Sequence, residues 1–491
     1  MKKHKNIMIQ GTGSSVGKTL IVAGLCRIFA QDGYRVSPFK SQNMALNSFV
    51  DIEGFELSRG TVIQAEAGYE IPRAFMNPIL LKPNSDNNSQ VIINGKVAYT
   101  ADAKKYFSNS KELKKIALET YKNNIENNFD IAVLEGGGSP AEINLREYDL
   151  VNMGMAELID SPVILVGNID IGGVFAAIYG TVMLLDENDR KRIKGYIINK
   201  FRGDSDLLKP AIEILDKKFK DEGLDIKFLG VLPYADLKIE EEDSLSDEDK
   251  RVYSDDKKYI NISIIKTKKM SNFTDFHPFK QYDDVRVKYI YDVKDLGDED
   301  IIIFPGSKNT IADLEDLKKR GIFEKVKELK EKGKIIIGIC GGLQMLGKKI
   351  YDLKHLESDI LETEGFNFFD YETTFDEIKK TEQVTKRIEV TEGILKDFNG
   401  YEIKGYEIHQ GVTNILTPII CKDNVFATYI HGIFDNSKFT NDFLNMIRKQ
   451  KNMPERKEIL SFNEFKEREY DKLAKLLREN LDIKEIYRIL D

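Results

Sequence analysis

Gly11-Thr-Gly-Ser-Ser-Val-Gly17-Lys18-Thr19 stands between a short apolar run, Asn6-Ile-Met-Ile-Gln10, and a helical pattern, Leu20-Ile-Val-Ala-Gly-Leu-Cys-Arg-Ile-Phe-Ala30. Strand, glycine-rich loop and helix in that order are the context of a phosphate-binding loop. The loop's backbone N–H groups, with the unpaired N–H groups at the helix start, form a cradle for anionic oxygens. Lys18 is placed to reach the β and γ phosphates of a nucleotide, and the Thr19 hydroxyl to hold Mg²⁺. The spacing is a variant, because Thr12 stands where the plain motif continues and the leading Gly11 comes one residue early.

Strands alternating with helical segments continue outward from this loop, which predicts a doubly wound, mostly parallel α/β sheet. Arg35–Phe39 reads as a second strand carrying Lys40, Gln42 and Asn43 at its C-terminal end, where such sheets collect ligands. Met76–Pro83, with Lys82, and the polar run Ser85–Gln90 read as turn-rich and suited to a large polar substrate. Asp130–Leu134 reads as a strand ending in Glu135-Gly-Gly-Gly, a carboxylate placed to hold Mg²⁺ opposite Thr19. The strand Pro162–Val166 leads to Asp170, and Gly195–Ile198 leads to Asn199, which is placed to read an adenine edge.

Length and charge bound the rest. A chain of 491 residues is too long for one core. Its net charge of -8 argues against a nucleic-acid partner, which would ask for a basic surface. No apolar run approaches the roughly 18 residues that span a bilayer, so no membrane is expected. Three cysteines in so long a chain suit a reducing cytoplasm. The acidic stretch 236–258 separates a domain over 1–235 from a second over 259–491, which closes in C-terminal helices.

The second domain carries its own chemistry. Gly338-Ile-Cys340-Gly341-Gly342 has the form of a nucleophile elbow with Cys in place of Ser. The turn exposes the sulfur at a helix N-terminus, which favours thiolate. A base is still wanted. Of the five histidines, His431, at the end of the run Ala427–Ile430, and His409 are the two candidates. Gly341, after the nucleophile, and Gly306, in Pro305-Gly306-Ser307, could give backbone N–H groups to an oxyanion. Cys26 and Cys421 read as packing residues.

A nucleotide site and a cysteine amidohydrolase site in one chain resemble a known combination. The N-terminal half is similar to a dethiobiotin-synthetase-like ATP domain, and the C-terminal half to a flavodoxin-like class I glutamine amidotransferase of the cobyrinate type. Together they resemble the cobyric acid synthase family. The resemblance rests on 39–48, 76–83, Ser139-Pro-Ala-Glu-Ile-Asn-Leu-Arg146, Ile197–Asp204, Ser271-Asn-Phe-Thr-Asp275, Gly306–Thr310 and the Cys340 and His431 motifs. It implies ATP- and glutamine-dependent amidation of a corrinoid, with Mg²⁺, no tightly bound prosthetic group, Cys340 as nucleophile and His431 as base. Families with a Cys-His-Glu triad carry Glu two residues after the histidine; here Ile433 stands there, as in the cobyrinate type. Family members also show Asp and Arg where this chain has Asn168 and Ile171. Alternatives are a cobyrinic acid a,c-diamide synthase, a cell-wall amidating relative or, from another class, a partition-type ATPase switch.

Overall fold

Apolar runs such as Ile301–Phe304 and Ile335–Ile339, buried along their whole length, are what strands covered on both faces require. Two sheets of this kind organise the chain in a computed structural model that describes residues 4–83, 88–240, 258–415, 417–457 and 460–491. The acidic stretch thus lies mostly outside the described residues, as do positions 85–87 of the polar run. Among the described residues, no helix is long and apolar enough to cross a membrane.

The first sheet has six parallel strands in the order Lys227–Pro233, Ile193–Phe201, Val163–Asn168, Lys5–Gly11, Ile131–Glu135, Val36–Phe39. The phosphate-loop strand lies in its middle, and helix Lys18–Gln31 follows directly. Met76–Pro83, expected to be turn-rich, contains the strand Ile79–Pro83. That strand joins Gln42–Met44, Asn88–Ile93 and Lys96–Asp102 in a second, four-stranded sheet.

The second domain's main sheet runs Val285–Ile290, Ile260–Ile265, Ile301–Phe304, Ile335–Ile339, Val425–Thr428, Ile419–Lys422, with only the last strand antiparallel. A long hairpin, Glu372–Arg387 with Glu402–Thr413, belongs to a further sheet.

The chain divides into two compact units, and neither is continuous in sequence. The first comprises 1–45, 56–242 and 466–491; the second comprises 46–55 and 243–465. This differs from the expected division twice, because a single cut in sequence cannot reproduce two exchanged segments. The C-terminal helices 466–491 join the first unit because Tyr470, Leu473, Ala474 and Leu477 pack with Val22, Leu25, Cys26 and Phe29 in one buried core. Gly24 is part of this fit: a Cβ there would stand 2.5 Å from Leu477 Cδ2. Arg27, almost wholly buried, pairs with Glu467 at 2.6 Å and Asp471 at 2.9 Å. Cys26 lies in this core, and burial pushes its thiol pKa up.

Leu477→Ala should therefore destabilise the first unit by about 2–5 kcal/mol, the range for a buried leucine that leaves a cavity. Chemical denaturation of the full chain measures it, and a loss under about 0.5 kcal/mol, the size of an ordinary surface substitution, would remove these helices from that core.

Candidate functional site

In the first unit, Gly17 enters the helix with φ 99°, a left-handed conformation that favours glycine. A Cβ there would meet the Asn199 amide nitrogen at 2.2 Å. The Asn199 side chain donates to the Val16 carbonyl at 2.8 Å and accepts from the Lys200 N–H at 2.8 Å. Asn199, expected to read adenine, braces the loop through its amide nitrogen, while its oxygen accepts from the next residue of its own strand, Ile193–Phe201. Lys18 is folded back, donating to the carbonyls of Gly13 at 3.0 Å and Gly138 at 3.1 Å. Gly11 keeps the loop tight, since a Cβ there would stand 2.6 Å from Val16 Cγ2 and 3.0 Å from Lys18 Nζ.

Glu135 is the point of convergence. Its Oε1 accepts from Thr19 Oγ1 at 3.0 Å and from Lys40 Nζ at 3.0 Å, and its other oxygen accepts from Gln64 Nε2. Lys40, Glu135 and Gln64 are all buried. Thr19 and Glu135 come from neighbouring strand-to-helix and strand-to-loop junctions, so the parallel register of Lys5–Gly11 with Ile131–Glu135 places them together. Their hard oxygens fit Mg²⁺, which commonly takes one or two protein oxygens and completes its shell with phosphate and water. Among the described residues, no group of three or more His, Cys, Asp or Glu side chains could hold a metal ion by itself.

Three of the other substrate-side candidates lie in one sheet and the fourth, Asp170, stands apart. Gln42 accepts from Tyr106 OH at 2.6 Å. Asn43 is buried, and its Oδ1 accepts from the next residue's N–H at 2.9 Å. Lys82 pairs with Glu56 at 2.8 Å, both buried. Gln42, Asn43 and Lys82 share the four-stranded sheet. Asp170 is exposed and meets Arg202 at 3.4 Å, while the departure at Asn168 has a local use, its Oδ1 accepting the Asp170 N–H. Gln64, which the sequence reading missed, is a wholly buried amide among Val62, Ile63 and Ala65 on helix Arg59–Ala67. A polar residue at a buried helical position was the available signal.

In the second unit, Cys340 sits between strand Ile335–Ile339 and helix Gly341–Leu346 with φ 54° and ψ -107°. A non-glycine residue there is strained. The glycines around it are required by close approach: a Cβ on Gly342 would lie 2.1 Å from the Phe304 carbonyl oxygen, and one on Gly338 2.7 Å from that of Gly342. The N–H groups of Gly341 and Gly342 are in the first helical turn and lack intrahelical acceptors. Gly306 pairs with Ser271 across a two-stranded ribbon in which Lys308 N–H donates to the Lys269 carbonyl. Antiparallel alternation then turns the Gly306 N–H toward Ser271 and leaves the Ser307 N–H facing away from the ribbon. A Cβ on Gly341 would stand 2.7 Å from that Ser307 nitrogen, so Ser307 is the better-placed donor on this turn.

His431 and Cys340 are brought together. The imidazole Nδ1 lies 2.7 Å from Asp275 Oδ2, and the other Asp275 oxygen accepts the Gly432 N–H at 2.9 Å. The remaining nitrogen, Nε2, is left for Cys340, whose sulfur acts on the charge of the imidazole. Burial alone would lower the imidazole pKa, but the Asp275 carboxylate and the Cys340 sulfur outweigh it and raise it to about 10. His409 is engaged elsewhere: its ring nitrogens meet the Gly411 carbonyl at 2.8 Å and Glu407 at 3.4 Å, and its ring stacks on Tyr429. Asp275 stands where the third member of a triad would, at the end of the Ser271–Asp275 stretch, where no local pattern marks it out. It sits after the left-handed Asn272, in the turn of helix Phe273–Gln281.

Comparison with known proteins fits both halves. Residues 7–245 match the CobQ/CobB/MinD/ParA nucleotide binding domain, and residues 261–439 match the CobB/CobQ-like glutamine amidotransferase domain. A cobyric acid synthase of Clostridium novyi is 49% identical, covering 100% of this chain and 98% of its own length. One of Caldanaerobacter subterraneus is 46% identical, covering 99% of this chain and 98% of its own. Among solved structures, a glutamine amidotransferase at 14% identity covers 37% of this chain and 96% of that chain with a TM-score of 0.28.

Asp275→Asn should lower the His431 titration midpoint by about one to three units, the usual effect of an adjacent opposite charge. Imidazole proton NMR, with His431→Gln for assignment, measures it. An imidazole raised from 6.5 to about 10 on folding contributes stability that is complete below about pH 6.5 and is lost as pH rises through about 10. The stability gap between wild type and variant should close over that window; an unmoved midpoint would dissociate Asp275 from the histidine's charge.

Proposed function

The chain belongs to the cobyric acid synthase family of glutamine-dependent amide ligases, and from that premise we propose that it amidates the b, d, e and g carboxylates of adenosylcobyrinic acid a,c-diamide to give adenosylcobyric acid, a step of cobalamin biosynthesis. The observation that carries this reading is the buried Asp275–His431–Cys340 array in a chain that also holds the Lys18, Thr19 and Glu135 cluster.

Glutamine enters at Cys340. The thiolate attacks the side-chain carboxamide carbon, and backbone N–H groups at Gly341 and Ser307 stabilise the oxyanion. The His431 imidazolium, held by Asp275, gives its proton to the departing nitrogen, the C–N bond breaks and ammonia leaves. Water, deprotonated by His431, then cleaves the thioester to glutamate and restores the thiol.

A carboxylate does not accept ammonia directly, because its oxygen is a poor leaving group. In the proposal, a substrate carboxylate oxygen attacks the γ-phosphorus of ATP, ADP leaves, and an acyl phosphate results. Lys18 unfolds from the Gly13 and Gly138 carbonyls onto the phosphates, and Lys40 balances charge beside Glu135. Thr19 and Glu135 would hold Mg²⁺, which supplies charge neutralisation to the phosphates when bound. Ammonia then attacks the acyl carbon, phosphate leaves with the C–O bond, and the amide forms with loss of a proton. Lys82, Gln42 and Asn43 offer hydrogen bonds for the corrinoid's polar periphery. The location is proposed to be the cytoplasm.

Incubation with the a,c-diamide, ATP, Mg²⁺ and glutamine, followed by mass spectrometry, should show four successive replacements of OH by NH₂. Cys340→Ser should abolish glutamine-driven synthesis and spare synthesis from ammonium salts. Lys18→Ala should lower both by a factor of about 10² or more, as loss of a transition-state charge partner does. Ammonium-driven synthesis lost with Cys340→Ser in a folded variant, or retained with Lys18→Ala, would overturn the division of labour.

A further inference from the structure

Residues 46–55 lie within the stretch matched by the nucleotide-binding family, yet they belong to the second unit. There they touch the supports of both members of the His431–Asp275 pair. On the Asp275 side, Asn47 Oδ1 accepts the Phe273 N–H at 3.1 Å, and Asn272 Oδ1 accepts the Ser48 N–H at 3.3 Å. On the His431 side, the Tyr406 ring lies over the imidazole with centroids 5.3 Å apart and planes 20° from parallel. The Tyr406 hydroxyl donates to the Ser48 carbonyl at 3.1 Å and accepts from Asn272 Nδ2 at 3.2 Å. Phe49 packs edge-on against Tyr406 at 5.0 Å, and Val50 is buried with Tyr406 and Ile408. The Ile408 carbonyl lies 3.6 Å from Cys340 Sγ.

We propose that the segment Asn47–Val50 is a strap that positions the glutaminase imidazole, with Asn47, Asn272 and Tyr406 as its positioning residues. The proposal rests on the reading of Cys340 and His431 as the glutaminase pair. Asp275 fixes one ring nitrogen, but rotation of the ring plane is limited by what lies against its face, and that is Tyr406. The strap holds Tyr406 by its hydroxyl and its edge, and through Asn272 and Phe273 it holds the turn that carries Asp275. Proton transfer needs Nε2 within roughly 2.6–3.2 Å of its partner, and a misplacement of about 1 Å can reduce rate by a factor of 10².

The test uses the full chain and measures glutamine hydrolysis beside ammonium-driven synthesis. Asn47→Ala and Tyr406→Leu should each lower kcat for hydrolysis about tenfold or more while leaving the glutamine KM within about twofold, the pattern of a misaligned catalytic group. Ammonium-driven synthesis should be unchanged. Tyr406→Phe, which keeps the ring over the imidazole, should recover most of the loss seen with Tyr406→Leu. Wild-type kcat in Asn47→Ala and Tyr406→Leu, or an equal loss of ammonium-driven synthesis, would overturn the strap; Asn47→Ala decides alone if Tyr406→Leu fails to fold. Cys340→Ser run in parallel separates the two claims: hydrolysis surviving in it sinks the glutaminase reading, whereas hydrolysis lost in it but intact in Asn47→Ala sinks only the strap.

Discussion

The left-handed backbone at Cys340 is the constraint from which the second unit's chemistry follows. At φ 54° a residue with a Cβ is held against a penalty of about 1–3 kcal/mol, so the surroundings must fix it. They do so by close approach on three sides: Gly342 against Phe304, Gly341 against Ser307, and Gly338 against Gly342. The turn projects the thiol beyond the strand end. The neighbouring strand pairs Gly338 with Ala427 and Ile339 with Thr428, which brings His431 to the same edge. Sheet register therefore sets where the two groups meet, and the Asp275 carboxylate sets the charge of the imidazole.

The first unit solves a similar problem with one carboxylate. Glu135 ends its strand beside the phosphate-loop strand and gathers Thr19, Lys40 and Gln64 around it. An ammonium and a hydroxyl on one oxygen keep a buried negative charge satisfied. Lys18, turned onto two carbonyls, is likewise satisfied.

Much of this was legible because it is local. The phosphate loop and the elbow are each written in about ten consecutive residues, and strands buried on both faces show as unbroken apolar runs. What stayed hidden depends on residues distant in sequence. Asp275 and Gln64 belong to elements whose local pattern says nothing about which carboxylate or imidazole they will face. The hairpin Glu372–Arg387 with Glu402–Thr413 carries many exposed charged positions, which mute the alternation a strand would show. Asn199 reads as a ligand reader from its place near a strand end; its bond to the Val16 carbonyl of the loop joins residues far apart in sequence. Helix Phe462–Asn480 reads as amphipathic, and an apolar stripe does not name the core it will cover.

That helix has a consequence for biogenesis. A ribosome delivers Val22 and Phe29 long before Leu473 and Leu477, yet all four share one core. The nucleotide-binding unit thus emerges with an oily flank uncovered and stays so while more than four hundred further residues are polymerised. The larger part of the other unit, 243–465, is one unbroken stretch that is synthesised before the missing helix, for which the earlier unit's core must wait. Contacts this far apart in sequence carry a high loop-closure cost, which slows the assembly of a core that depends on them.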